Sequence, residues 1–171
     1  GLVGAEMCIR DRHNTAHIEA LVTAVEELDA NTVPFFCLRL PDARRGNPGM
    51  AQVLENLLRD DEGRCVVDTL VDVHGMSMTA GVPANADAYP NLGVSVLHAL
   101  TSYAPRAAWQ ATAQGMGSMD VATQAAQPEF DGALITKLLA TREVDTVDDL
   151  TGAVVPRMVP VPGRAQAMAE L

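Results

Sequence analysis

Ile18, Leu21, Val22, Val25 and Leu28 recur at helical spacing within residues 15–29, which predicts an amphipathic helix with Asn14 as its N-cap. Residues 32–40 form an apolar run bounded by Asn31 and by Pro41-Asp42, short and β-rich enough for a buried strand. The polar stretch 41–49 carries Pro and Gly at both ends and reads as a loop. Helical spacing returns over residues 50–58 through Val53, Leu54, Leu57 and Leu58, and Asp60-Asp61-Glu62-Gly63 ends it. A second strand is expected over 65–73, a long Gly/Pro/Ala/Asn loop over 75–90, and a third strand over 93–99. Strands alternating with helices predict a parallel α/β sheet, whose ligands sit beyond the carboxyl ends of the strands.

Beyond Ser102 the pattern changes. Residues 105–114 predict a helix with Pro in its first turn, and 118–126 a helix capped by Ser118. A strand fits 133–140, and the acidic stretch 141–152 reads as a loop or short helix. The expected class is therefore α/β: an open, parallel-type sheet with flanking helices over residues 13–102, followed by a mainly helical region over 103–171. That second region either packs on the sheet or belongs to a neighbouring domain. No internal repeat is present.

A length of 171 residues suits one domain, or one and a fraction, with a real core. Apolar residues at 48% and charged residues at 20% mark a globular chain, and aromatics at 4% leave the core to Val, Leu, Ala and Met. A net charge of -10 argues against nucleic-acid binding. No run approaches the roughly 20 apolar residues of a membrane span, and no charged-then-apolar leader precedes the domain, so a cytoplasmic protein is expected. Cys8, Cys37 and Cys65 share no CxxC spacing, which leaves them as buried free thiols.

Chemistry concentrates in residues 109–136, WQATAQGMGSMDVATQAAQPEFDGALIT. Glu129 and Asp131 lie two apart between Pro128 and Gly132, where a tight turn would aim both carboxylates toward one ligand. The alternative is a turn in which Asp131 bonds its own backbone and Gly132 takes positive φ. His74 follows a predicted strand, and Asp72 precedes it by two, forming an Asp-x-His pair suited either to a metal or to a satisfied core. His17 and His98 read as structural. Trp109, the single tryptophan, suits either stacking on a flat ligand or the core. Met76, Met78, Met116 and Met119 would supply a soft lining. No phosphate-cradling glycine loop and no hydrolase or zinc-protease motif is present.

Trp109, Gly115, Ser118, Asp120, Ala122, Pro128, Glu129, Asp131, Gly132, Ile135 and Thr136, in that order, resemble a signature block of metal-chelatase large subunits. Two further blocks keep the family's order: Asn14 to Leu21 with the strand from Val33 to Arg39, and Val159 to Arg164 before a helix. The resemblance covers about residues 14–171 and favours the cobalt-inserting CobN type over the magnesium-inserting type. Departures are Arg12-His13 directly before Asn14, Gly163 in place of a glutamate, and the run from Val71 to Met76. The resemblance implies part of a tetrapyrrole-binding subunit that inserts Co2+ into a corrin, hydrogenobyrinic acid a,c-diamide, in cobalamin biosynthesis. The alternatives are insertion of Mg2+ into protoporphyrin IX by a magnesium chelatase subunit, or a non-catalytic α/β ligand-binding or scaffold module. Glu129 and Asp131 would then be catalytic, Trp109 and Gly132 would bind substrate, and His74 would ligate metal. ATP would be hydrolysed by separate AAA+ partner subunits, which together with the remainder of the large subunit complete the assembly.

Residues 1–12, GLVGAEMCIRDR, fall outside the resemblance. The string from Glu6 to Arg12 is similar to translated sequencing adaptor, so the native chain is expected to begin near His13 or Asn14.

Overall fold

The computed structural model describes residues 2–5, 14–82, 88–147, 152 and 154–171. Six strands form one sheet in the order β2-β1-β3-β4-β5-β6: β1 (Leu2–Ala5), β2 (Val33–Phe36), β3 (Thr69–Asp72), β4 (Ser95–Ser102), β5 (Leu134–Val147) and β6 (Val154–Pro160). The first five are parallel and β6 is antiparallel to β5. Because β1 passes to β2 on one side and β3 lies on its other side, the strand order reverses between β1 and β3. In open α/β sheets that reversal leaves a crevice beyond the carboxyl ends of the strands.

One face of the sheet is covered by α1 (Ala16–Glu26) and the last helix, Arg164–Ala169. Ile18, Leu21 and Ala24 of α1 meet Val71, Val73, Ala99 and Leu139 of the strands and Ala165 and Met168 of that helix. The opposite face receives α2 (Met50–Leu58), whose Met50, Leu54 and Leu58 pack with Leu70, Met78, Tyr89, Leu92 and Val96. A third cluster of Leu100, Leu138 and Val161 sits under Trp109 of α3 (Arg106–Ala111). Ser118–Asp120, Val121–Ala126 and Gln127–Phe130 make one continuous helical run, α4, whose middle segment is a π-helix. The C-terminal helix is α5.

Several sequence expectations shift. Residues 103–171 contribute β5 and β6 to the same sheet as the earlier strands, so the region extends that sheet. The acidic stretch after Thr141 is strand to Val147, pairing only with β6 from Arg142 onward. An Arg142–Asp145 ion pair and the valines Val144 and Val147 make this arm; residues 148–151 lie outside the described residues. Leu2–Ala5 forms the strand between β2 and β3, which leaves open the expectation that it is non-native, and the adaptor-like residues 6–12 lie outside the described residues. Cys37 is free and buried, as expected; Cys65 is free but only half-buried, and Cys8 lies outside the described residues. No described helix is long and apolar enough to cross a membrane.

Asn14 does not cap α1; Thr15 holds that position without a side-chain cap bond. Instead Asn14 Nδ2 donates to the Pro156 carbonyl at 2.9 Å, and its Oδ1 accepts from the Met158 N–H at 2.8 Å. It thereby satisfies backbone groups of the edge strand β6, which would otherwise offer a template for pairing. Asn14→Ala is expected to lower stability by about 1–3 kcal/mol, read from the urea midpoint; an unchanged midpoint would remove this clamp from the account.

His17 is fully buried on α1, and burial lowers its pKa from 6.5 to about 4, with Glu19 pulling weakly the other way. Native His17 is therefore neutral where the unfolded chain takes up a proton. The stability it confers is complete above pH 6.5 and declines as pH falls toward about 4. His17→Leu should flatten the stability curve between those values, measured by denaturant unfolding at each pH; a slope equal to that of the wild type would contradict the assignment.

Candidate functional site

Along β3, Val71 and Val73 face α1 and α5, so Leu70 and Asp72 face the other way. The same alternation puts Val96 and His98 of β4 on the Leu70 side, where Asp72 and His98 are register partners. A buried carboxylate requires partners, and Asp72 has them. Its Oδ1 accepts the His74 backbone N–H at 2.8 Å and contacts His74 Nδ1, and its Oδ2 faces His98 Nδ1 at 3.4 Å. An ionised carboxylate only accepts, so this geometry assigns the N–H of both imidazoles to Nδ1. Burial alone would raise the Asp72 pKa. The charge and hydrogen bonds of His74 and His98 outweigh it and hold the carboxyl below its ordinary range. Tyr89 is pushed well above its usual value, first by burial and then by Asp72, to which it hydrogen-bonds. Burial, aided by Asp72, drives the Cys37 thiol up to about 12, leaving it inert.

The chain turns after His74, and a second buried carboxylate organises that turn. Asp131 Oδ1 accepts from Ser77 Oγ at 2.6 Å and from Thr79 Oγ1, and its Oδ2 accepts from the Met78 N–H. Ser77 N–H donates to Gln127 Oε1 at 2.9 Å, while Ser77 Oγ accepts from the Ala80 N–H at 2.9 Å. Arg39 donates to the carbonyls of Ser77 and Ala80 at 3.1 and 3.0 Å. The segment 77–80 is thus held to the C-terminal end of α4 by charge-assisted bonds.

The N-terminal end of α4 is fastened as well. Ser102 Oγ, at the end of β4, donates to Asp120 Oδ2 at 2.6 Å. Gln124, within the π-helical segment, accepts from the Thr101 N–H at 3.1 Å and from Thr101 Oγ1 at 3.2 Å. The β4–β5 register shifts between Leu100 and Thr101.

The two carboxylates of the Pro-Glu-Phe-Asp-Gly turn are separated: Asp131 is buried and Glu129 is exposed. Asp131 bonds the distant 77–79 segment rather than its own backbone. Gly132 has φ +86° with nothing near its missing Cβ, so the turn needs its left-handed backbone. Trp109 is half-buried against Leu100, Leu138 and Val161, with Gly115 so close that a Cβ there would lie 3.2 Å from the ring. Met78 is core and Met116 packs near Trp109, whereas Met76 and Met119 are exposed, so the four methionines form no common lining. Among the described residues no group of three or more His, Cys, Asp and Glu is arranged to hold a metal ion. His98, read as structural, proves to be the partner of Asp72. Gln124 and Ser77 carried no signal in the sequence, because a polar side chain bonding a distant backbone leaves no local pattern.

The family model described as CobN/Magnesium Chelatase matches residues 8–171. The aerobic cobaltochelatase subunit CobN of Sinorhizobium sp is 25% identical over 158 residues, which are 92% of this chain and 12% of that protein. Among solved structures, the catalytic subunit of cobaltochelatase from Mycobacterium tuberculosis superposes with a TM-score of 0.71 at 26% identity, over 98% of this chain and 14% of that one. The chain spans 12% to 14% of the length of these relatives.

Asp131→Asn keeps the shape but turns an amide N–H2 toward groups that themselves donate. It should cost at least about 2 kcal/mol and speed hydrogen exchange at the Met78 amide more than tenfold. Unaltered exchange there would mean that Asp131 does not hold the segment.

Proposed function

The chain belongs to the CobN/magnesium chelatase family, and on that premise we propose that it is part of the tetrapyrrole-binding large subunit of a cobaltochelatase. The family is one of chelatases, and both named relatives are cobaltochelatase subunits. Cobalt is accordingly the proposed substrate metal, and a metal-free corrin such as hydrogenobyrinic acid a,c-diamide the proposed acceptor. ATP would be hydrolysed by AAA+ partner subunits acting on the large subunit, in the cytoplasm.

Insertion requires a surface for a flat apolar macrocycle, acceptors for two pyrrole N–H protons, and ligands that strip water from the metal. The observation that carries the reading is the solvent side of α4. Met119 is 73% exposed and Phe130 is 86% exposed, with Val121 and Ala122 also exposed between them. Exposed apolar groups on one helix suit a surface that is covered in use. Glu129 stands exposed at the same end as Phe130. On this reading the apolar side of α4 supports the macrocycle, and Glu129 accepts a pyrrole proton or passes on the metal. Asp131 serves the site from beneath by fixing the turn that displays Glu129, and Gly132 lets the backbone leave that turn. Trp109 borders the substrate from α3. His74, at the carboxyl end of β3, is the proposed metal ligand, with Asp72 fixing its tautomer as an outer-shell carboxylate does.

Glu129→Gln changes no buried contact, so the variant should melt as the wild type does. In the intact subunit with its partners, cobalt insertion should fall at least a hundredfold. Undiminished turnover would take the proton-accepting role away from Glu129.

A further inference from the structure

Ser102 ends β4 and Asp120 lies in the first turn of α4, and the 2.6 Å hydrogen bond between their side chains pins both ends of the chain between them. That excursion, residues 103–119, carries α3, none of whose residues is buried. It rests on the fold through two half-buried side chains, Trp109 and Met116, which pack against Leu100, Leu138 and Val161. Among the described residues, one hydrogen bond joins residues 105–116 to the rest of the chain: the Arg106 N–H donates to the exposed Glu143 Oε1 at 2.7 Å. The bonds from the Trp109 N–H to the Pro105 carbonyl, from Thr112 Oγ1 to the Trp109 carbonyl and from the Gly115 N–H to the Thr112 carbonyl are internal and would travel with the segment. A segment with so few buried contacts opens at far less cost than global unfolding.

The contact that holds the excursion down is itself incomplete. Trp109 Nε1 is buried and meets no acceptor among the described residues, whereas a buried indole N–H ordinarily finds one and an unmet donor is costly. Swinging out hydrates that N–H and uncovers Leu100, Leu138 and Val161, each at most 9% exposed beneath it. Leu100 lies two residues beyond His98 and shares its face of β4. Met116, at the edge of the same cluster, stands three residues before Met119, where the exposed apolar side of α4 begins. We propose that residues 103–119 are a lid latched by Trp109, and that the apolar face of a tetrapyrrole takes the place of the indole on Leu100, Leu138 and Val161 when the lid opens. This rests on the reading that the chain handles such a macrocycle. A ligand that needs the open form binds more tightly when the latch is loosened. If Trp109 were a fixed wall of a preformed site, loosening it would weaken binding.

Two variants of the full chain loosen the latch and keep the single tryptophan as reporter. Gly115→Ala puts a Cβ 3.2 Å from the indole, on a backbone at φ +73°. Arg106→Pro deletes the N–H that Glu143 accepts, at the first position of α3, where proline fits a helix; it carries the test alone if Gly115→Ala does not fold. In ligand-free protein both should raise acrylamide quenching of Trp109 fluorescence. Titration with metal-free mesoporphyrin IX, followed by porphyrin absorbance, should show binding tighter by about threefold or more in both. Unchanged quenching in the folded variants would overturn the lid. Increased quenching with equal or weaker porphyrin binding would overturn the seat beneath it. If wild type and variants bind no porphyrin while quenching still rises, the lid stands and the macrocycle reading fails.

Discussion

A single buried carboxylate sets the terms for one whole face of this sheet. Asp72 sits among Leu70, Val96 and Tyr89, where an unpaired charge would be prohibitive. Two imidazoles supply what water cannot: His98 across the β3–β4 ladder and His74 from the same strand's end. The His74 backbone N–H also closes on Asp72, which ends β3 and starts the turn. Where that turn goes is settled by the second carboxylate, Asp131, more than fifty residues on in the chain. Two carboxylates thus fix the carboxyl end of β3, and with it the surface that α4 presents.

Between them lie three local departures from regular structure that meet at one side chain. The register of β4 against β5 shifts between Leu100 and Thr101. Gln124 takes the Thr101 N–H, from a helical segment widened to π geometry. Gly75 leaves the space into which the same amide extends.

The regular parts were legible in the sequence, because burial leaves a period. Met50–Leu58 has the expected bounds, and the ends of α1, β2, β3 and β4 lie within four residues of theirs. The arm beyond Thr141 was not, since its acidic composition resembles a loop and its strand character comes from pairing with residues 154–158 of β6. Asn14 reads as a cap from its neighbours alone, yet its partners are 142 and 144 residues distant. The site was legible in the same uneven way. The Asp72-x-His74 pair was visible as spacing, while His98 entered only through strand register. Glu129 and Asp131 looked equivalent in sequence, and burial divides them into a displayed carboxylate and an anchoring one.

The central claim is that the carboxyl ends of β3 and β4 and the helix fastened over them form the surface that handles a macrocycle. Hydrogen exchange by mass spectrometry on the chain, with and without a metal-free corrin, tests it directly. The account predicts protection concentrated in residues 74–80 and 118–132, with the β5–β6 arm unchanged. Protection confined to that arm, or none at all in a folded chain saturated with ligand, would contradict it.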